Sequence, residues 1–212
     1  MAKAKICGLT KAADYTACAD AGAAFAGLVF HQRSPRHLQY ETAAAIADMR
    51  LSNGPEIVAL CVAPDDNKLT DIMAACKPDW VQLHGHETPE RCAEIRQKFA
   101  LPILKAISVK SADDIKAANA FRDSVDMLLF DAATGNPDMP GGTGSQFDWS
   151  LLASADIPLP WMLAGGLTCS NIQKAIQQTA AQFVDVSSGV ETKPGFKDHQ
   201  AIKRFVSAAE LG

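Results

Sequence analysis

Short apolar runs alternate along the chain with longer stretches whose apolar positions recur every three to four residues, the pattern of repeated βα units feeding a parallel sheet. Eight runs predict strands, at 3–7, 24–30, 56–62, 79–83, 103–107, 127–131, 161–164 and 183–187. Most are apolar at nearly every position, as strands covered on both faces must be. Between them the helical period predicts helices over 11–20, 42–50, 69–77, 89–99, 112–122, 171–178 and 199–209.

Two of these helices carry clear start signals. Thr88-Pro89-Glu90 and Ser111-Ala112-Asp113-Asp114 place capping hydroxyls and carboxylates at a first turn, which fixes where the preceding loops end. The unit after Asp131 differs, because a glycine- and proline-rich stretch at 135–144 precedes any helix, and loops of that length tend to be functional. Eight units in 212 residues fit a single-domain α/β fold over 1–212, closed as a (βα)8 TIM barrel. A doubly wound sheet is the alternative, disfavoured because no G-x-G-x-x-G follows the first strand.

Composition narrows the function classes. Hydrophobic residues make up 48% and charged residues 21%, near the globular average. The net charge of -4 comes from interspersed signs, which argues against a nucleic-acid footprint or a membrane anchor. A negatively charged ligand must then be held locally, by backbone amides or a few placed cations. Six cysteines without a C-x-x-C pair suit a reducing compartment, and the N-terminus lacks the apolar core of a secretory signal. A cytoplasmic protein, monomer or homodimer, is expected.

In a barrel the residues that end the strands converge on one face, whatever their distance in sequence. Cys7, Arg36, His84, Asp131, the Gly165-Gly166 pair and the segment 187–189 meet that condition. Cys7 closes the first strand, and local positive potential can lower a thiol pKa enough to make it a base or nucleophile. Most free cysteines are simply small buried hydrophobes. Asp131 ends the apolar run 127–130, where apolar surroundings can raise a carboxyl pKa toward that of a general acid; an Asx-type loop cap is the plainer alternative.

Gly141-Gly142-Thr143-Gly144, Gly165-Gly166 and Ser188-Gly189 offer backbone donors near one rim. Barrels often bind phosphate in the loops after strands seven and eight, so the last two point to a small phosphorylated ligand. Arg36, behind Ser34-Pro35, has a planar fork suited to a carboxylate, although a solvated arginine is the commoner case. His84 suits a proton shuttle or a hydrogen-bonding rim residue, with His86 facing solvent. No cluster of histidines and carboxylates has metal-ligand spacing, so no metal is expected.

Taken together the segments 5–10, 34–36, 81–85, 129–131, 141–144 with 147–149, 163–167 and 184–191 resemble phosphoribosylanthranilate isomerases, in that family's order from end to end. The resemblance implies a cofactor-free Amadori rearrangement of N-(5-phosphoribosyl)anthranilate. By it, Asp131 is the general acid at the furanose oxygen and Cys7 the general base at C2′. Arg36 then partners the anthranilate carboxylate, His84, Gly142, Thr143 and Gly144 line the substrate, and Gly165, Gly166, Ser188 and Gly189 cradle the phosphate. The stretch 131–140 departs from the family by being longer and less polar, which puts closure of the 135–144 loop in doubt.

Two neighbouring families fit less well. A histidine-biosynthesis aldose-ketose isomerase carries an aspartate where Cys7 stands and has phosphate loops in both halves, whereas indole-glycerol phosphate synthase has a lysine-rich rim and a longer N-terminus. A noncatalytic phosphate-binding barrel predicts loss of the acid or base, and both residues are present.

Overall fold

The computed structural model describes residues 1–133 and 146–212. Eight parallel strands pair in chain order: β1 (Lys3–Cys7), β2 (Phe25–Val29), β3 (Glu56–Cys61), β4 (Trp80–Leu83), β5 (Ile103–Val109), β6 (Met127–Ala132), β7 (Trp161–Leu163) and β8 (Phe183–Val186). The last returns to pair with β1 and closes a (βα)8 barrel. Around it run α1 (Ala12–Asp20), α2 (Tyr40–Ala47), α3 (Asp66–Cys76), α4 (Pro89–Phe99), α5 (Ala112–Ala117), α6 (Ser150–Ala153), α7 (Ile172–Thr179) and α8 (His199–Glu210). A hairpin, β9 (Glu191–Lys193) and β10 (Phe196–Lys197), sits between β8 and α8.

All eight expected strands are present, with ends shifted by one or two residues. The apolar runs have their cause in two separate cores. Phe25, Val58, Leu104, Met127, Leu129 and Met162 fill the inside of the barrel, while the alternate residues, among them Ile6, Leu28, Ile57 and Phe130, pack outward against the helices. The helix starts also follow the sequence: Thr88 Oγ1 accepts from the Arg91 N–H at 3.3 Å, and Asp114 reaches back to the Ser111 N–H at 2.8 Å.

Some expectations change. The helix predicted over 112–122 is α-helical only to Ala117 and finishes as a 3₁₀ turn at Ala118–Phe121. Helix α2 starts at Tyr40 and ends at Ala47, earlier than the 42–50 the pattern suggests, and α3 starts at Asp66 rather than 69, where the Asp65 side chain caps it by accepting from the Lys68 N–H. Among the described residues between β6 and β7, the single-turn α6 is the one helix. The loop at 135–144, with Gly142, Thr143 and Gly144, lies outside the described residues. No helix among the described residues is long and apolar enough to cross a membrane.

Closure of the barrel brings the chain's two ends together. Lys5 of β1 lies directly opposite Asp185 of β8 in the ladder. Parallel pairing puts both side chains on the inner face, where the Lys5 ammonium, fully buried, meets the Asp185 carboxylate at 2.8 Å.

Candidate active site

The eight barrel strands are all parallel, so their C-terminal ends form one mouth. Cys7 is the last residue of β1, and it packs with Val29 and Leu60 as the uppermost layer of the barrel interior. Asp131 sits near the end of β6, two residues beyond the inward-facing Leu129, and alternation turns it inward as well. Along the shorter arc of the barrel only β7 and β8 separate β6 from β1. These two strands lead into the Gly165-Gly166 and Ser188-Gly189 loops.

The two loops are in close contact. A Cβ on Gly189 would fall 2.0 Å from the Leu167 carbonyl oxygen, so the chain after β8 crosses directly against the chain after β7, and only glycine permits it. Gly165 takes φ +86°, and a Cβ there would meet the Ala132 amide nitrogen at 2.7 Å and Asp131 Oδ1 at 3.3 Å. The glycine rim therefore abuts the carboxylate itself. Asn171 Nδ2 donates to the Gly166 carbonyl at 2.9 Å and Asn171 Oδ1 accepts from the Thr168 N–H at 2.8 Å, which ties the β7 loop to the start of α7.

The Asp131 carboxylate divides its two oxygens. One accepts from the Ala132 N–H at 2.8 Å, and the other lies 3.5 Å from His84 Nε2. His84 Nδ1 is 3.1 Å from Gln82 Nε2. With that amide as donor, the imidazole proton sits on Nε2 and points toward Asp131. His84 and Asp131 side chains are each about nine-tenths buried.

Cys7 requires a correction to the sequence-based expectation of a lowered pKa. Burial pushes its thiol above the usual value of 9.0, and the nearby ammonium groups of Lys5 and Lys197 offset only part of that rise. The positive potential is present, but desolvation outweighs it. Cys18, Cys61 and Cys76 are held at about 12 by burial, which Lys197, Lys68 and Arg50 respectively offset only in part, and Cys92 at about 11. Four of the other five cysteines are thus inert packing residues, and Cys169 is half-buried.

Arg36 does reach the mouth, but its fork is already engaged. Nε and Nη2 form a two-point pair with Glu191, each at 2.8 Å. Glu191 Oε1 also accepts from Lys197 Nζ at 2.7 Å, and Lys197 donates to the Ser187 carbonyl at 3.1 Å. All three side chains are nine-tenths or more buried. Burial works against the Glu191 charge, yet the two cations win and hold its carboxyl below the usual range. Burial likewise opposes the Lys197 ammonium, whose pKa is lowered despite Glu191. Two cations against one carboxylate leave a net positive charge facing Cys7 and the phosphate-loop side of the mouth.

The structure therefore brings together Cys7, Arg36, His84, Asp131, Gly165, Gly166, Ser188 and Gly189 at one end of the barrel. It adds Lys5, Glu191 and Lys197, which the sequence reading left without a role. Lys197 sits in a two-residue strand, too short to show a period, and the Lys5–Asp185 pair follows from closure register, which no local pattern reveals. Among the described residues no group of three or more histidine, cysteine or carboxylate side chains is arranged to hold a metal ion.

Known proteins resemble this chain over nearly its whole length. Residues 4–208 match the family model described as N-(5'phosphoribosyl)anthranilate (PRA) isomerase. The chain is 47% identical over 206 residues to the N-(5'-phosphoribosyl)anthranilate isomerase of Paracoccus denitrificans, covering 97% of this chain and 95% of the relative. It is 45% identical over 209 residues to that of Parvibaculum lavamentivorans, with 97% of each covered. The crystal structure of phosphoribosyl anthranilate isomerase from Thermotoga maritima superposes with a TM-score of 0.89 at 33% identity, covering 100% of both chains. A second such isomerase, in complex with reduced 1-(o-carboxyphenylamino)-1-deoxyribulose 5-phosphate, gives 0.86 at 32% identity, again over 100% of both chains.

Proposed function

The chain belongs to the N-(5'-phosphoribosyl)anthranilate isomerase family of tryptophan biosynthesis, and on that premise we propose that it converts N-(5-phosphoribosyl)anthranilate to 1-(2-carboxyphenylamino)-1-deoxyribulose 5-phosphate without a cofactor. This is the third step from chorismate. The observation that carries the reading is the placement of Cys7 and Asp131 on the inner ends of β1 and β6, with the two glycine loops on the arc between them. A phosphate seated on those loops holds a sugar between a thiol and a carboxyl group.

The Asp131 carboxyl gives its proton to the furanose ring oxygen as the C1′–O bond breaks, leaving a Schiff base with the anthranilate nitrogen. The Cys7 thiolate then takes the C2′ proton, and the resulting enol tautomerises to the ketone. Each step needs the opposite protonation state of its residue, so the two environments must differ. Lys5 and Lys197 supply the positive potential for the thiolate. The His84 Nε2–H orients the carboxyl group through the 3.5 Å contact with Asp131 and lines the substrate.

Arg36 takes the anthranilate carboxylate, presented by the Glu191 pair rather than swinging free. Gly165, Gly166, Ser188 and Gly189 take the phosphate through backbone N–H groups, and Gly142, Thr143 and Gly144 extend the substrate contacts. The enzyme works in the cytoplasm as a monomer or homodimer on a small phosphorylated substrate, with no nucleic-acid or membrane partner.

The test is an assay of purified protein with the anthranilate adduct, followed by loss of its fluorescence, together with complementation of a tryptophan auxotroph lacking this step. Cys7→Ser and Asp131→Asn should each lower kcat by about 10²-fold or more, the usual worth of a proton-transfer group, while binding of a reduced product analogue persists. Folded wild-type protein without turnover, or either variant with full turnover, overturns the reading.

A further inference from the structure

A second buried ion pair lies beside the mouth, and the proposed chemistry does not use it. Lys105 stands in β5 between Leu104 and Ala106, both packed inside the barrel, so alternation turns its side chain to the outer face. Its ammonium is 3.0 Å from Glu87 Oε2, with both side chains 3% exposed. It also donates to the carbonyls of Leu83 at 3.3 Å, Gly85 at 2.7 Å and Ala106 at 3.0 Å. Glu87 accepts from the Gly85 N–H at 3.0 and 3.2 Å and from the Ala63 N–H at 2.8 Å.

These contacts converge on one residue. The two β4-side carbonyls that Lys105 reaches belong to the residues immediately before and after His84, and the Gly85 N–H held by Glu87 belongs to the peptide unit that follows it. The same loop borders a cavity of about 1070 Å³ whose lining includes His84, Glu87, Lys105, Ser108 and Lys110. Resting on the assignment of Asp131 as the acid, we propose that Lys105 and Glu87 are positioning residues: their ion pair clamps the backbone on both sides of His84 and so sets its imidazole against the Asp131 carboxylate.

Two physical arguments favour positioning over bulk stability. A buried ion pair is a poor stabiliser compared with apolar residues of similar volume. Here it fastens backbone groups of a single loop and reaches the β3 loop through Ala63. The 3.5 Å His84–Asp131 contact is already at the long end of hydrogen-bond reach, where a further displacement on the order of 1 Å removes it. Displacements of that size at a reacting group cost about 10²-fold in rate.

The test is a double-mutant cycle on kcat and KM with the anthranilate adduct as substrate. Glu87→Gln and Lys105→Met are each made in the wild type and in His84→Asn. In the wild-type background, kcat should fall about 10- to 100-fold while KM stays within about twofold, and in His84→Asn the same changes should have no further effect on kcat. Should Lys105→Met fail to fold, Glu87→Gln carries the test, because its amide oxygen still accepts from Ala63 and Gly85. Unchanged kcat in folded Glu87→Gln, or an equal loss in the presence and absence of His84, overturns the clamp. An inactive wild type instead overturns the parent reading, and the clamp with it.

Discussion

At the scale of single residues, Cys7 shows two opposed effects on one atom. Burial drives the thiol up, while Lys5, two residues earlier on the same inner face, draws it down, joined by Lys197 from the hairpin. Replacing Lys5 by methionine removes a lowering influence and also leaves Asp185 unpaired, whose charge raises the thiol further. Both changes act in one direction. The acid limb of kcat/KM, which follows the thiolate fraction, should move to higher pH in Lys5→Met, with about a tenfold loss at neutral pH for each unit of the shift and recovery under alkaline conditions. A pH–rate profile that overlays the wild type would show that Lys5 does not act on the base. Arg36 illustrates the same logic in reverse. Its charge was legible in the sequence, but the carboxylate that fixes its fork comes from 155 positions further on.

At the scale of elements, the strands and most helix boundaries were legible to within one or two residues; the misses are α3, which starts at Asp66 rather than 69, α2, which ends at Ala47 rather than 50, and α5, which turns 3₁₀ after Ala117. Strands buried on two faces must be apolar throughout, and caps such as Thr88 and Ser111 are chemical necessities of an exposed first turn. Helices α3, α4 and α7 stop on Lys77, Ala100 and Ala180, all left-handed at φ 42°, 51° and 55°, where a glycine is usual. The helical pattern places these three ends within a residue, at 77, 99 and 178, but does not report the strained conformation that closes them. Ala100→Gly should therefore stabilise the protein by about 1 kcal/mol, raising Tm by roughly 2–4 °C in a domain of this size; an unchanged or lower melting temperature would show that α4 bears no strain there. The short elements were missed for another reason. A hairpin of three and two residues offers no period to detect, although it delivers Glu191 and Lys197 to the mouth.

At the scale of the whole molecule, stability should be limited on the alkaline side by thiols remote from the chemistry. Cys18, Cys61 and Cys76 stay protonated in the fold to about 12 and Cys92 to about 11, whereas the unfolded chain releases these protons near 9.0. A raised folded pKa gives a contribution that is complete below 9 and is lost as pH rises toward 11–12. Each thiol should then subtract about 1.4 kcal/mol per pH unit above 9. Denaturant melts from pH 7 to 11 should show a plateau and then a steep fall, and Cys61→Ala should have a shallower fall than the wild type; equal slopes would remove the thiols as the cause.

The ladder between the first and last strands has a consequence for biosynthesis. Lys5 and Asp185 are 180 positions apart, so at about 5–20 residues per second a ribosome takes roughly 10–40 s to supply the second after the first. Throughout that interval the N-terminal strand has an open edge and an ammonium with no counter-ion. The nascent chain is thus most exposed to aggregation and to holdase chaperones just before its final helix emerges, and the ring shuts as one of the last events of its making.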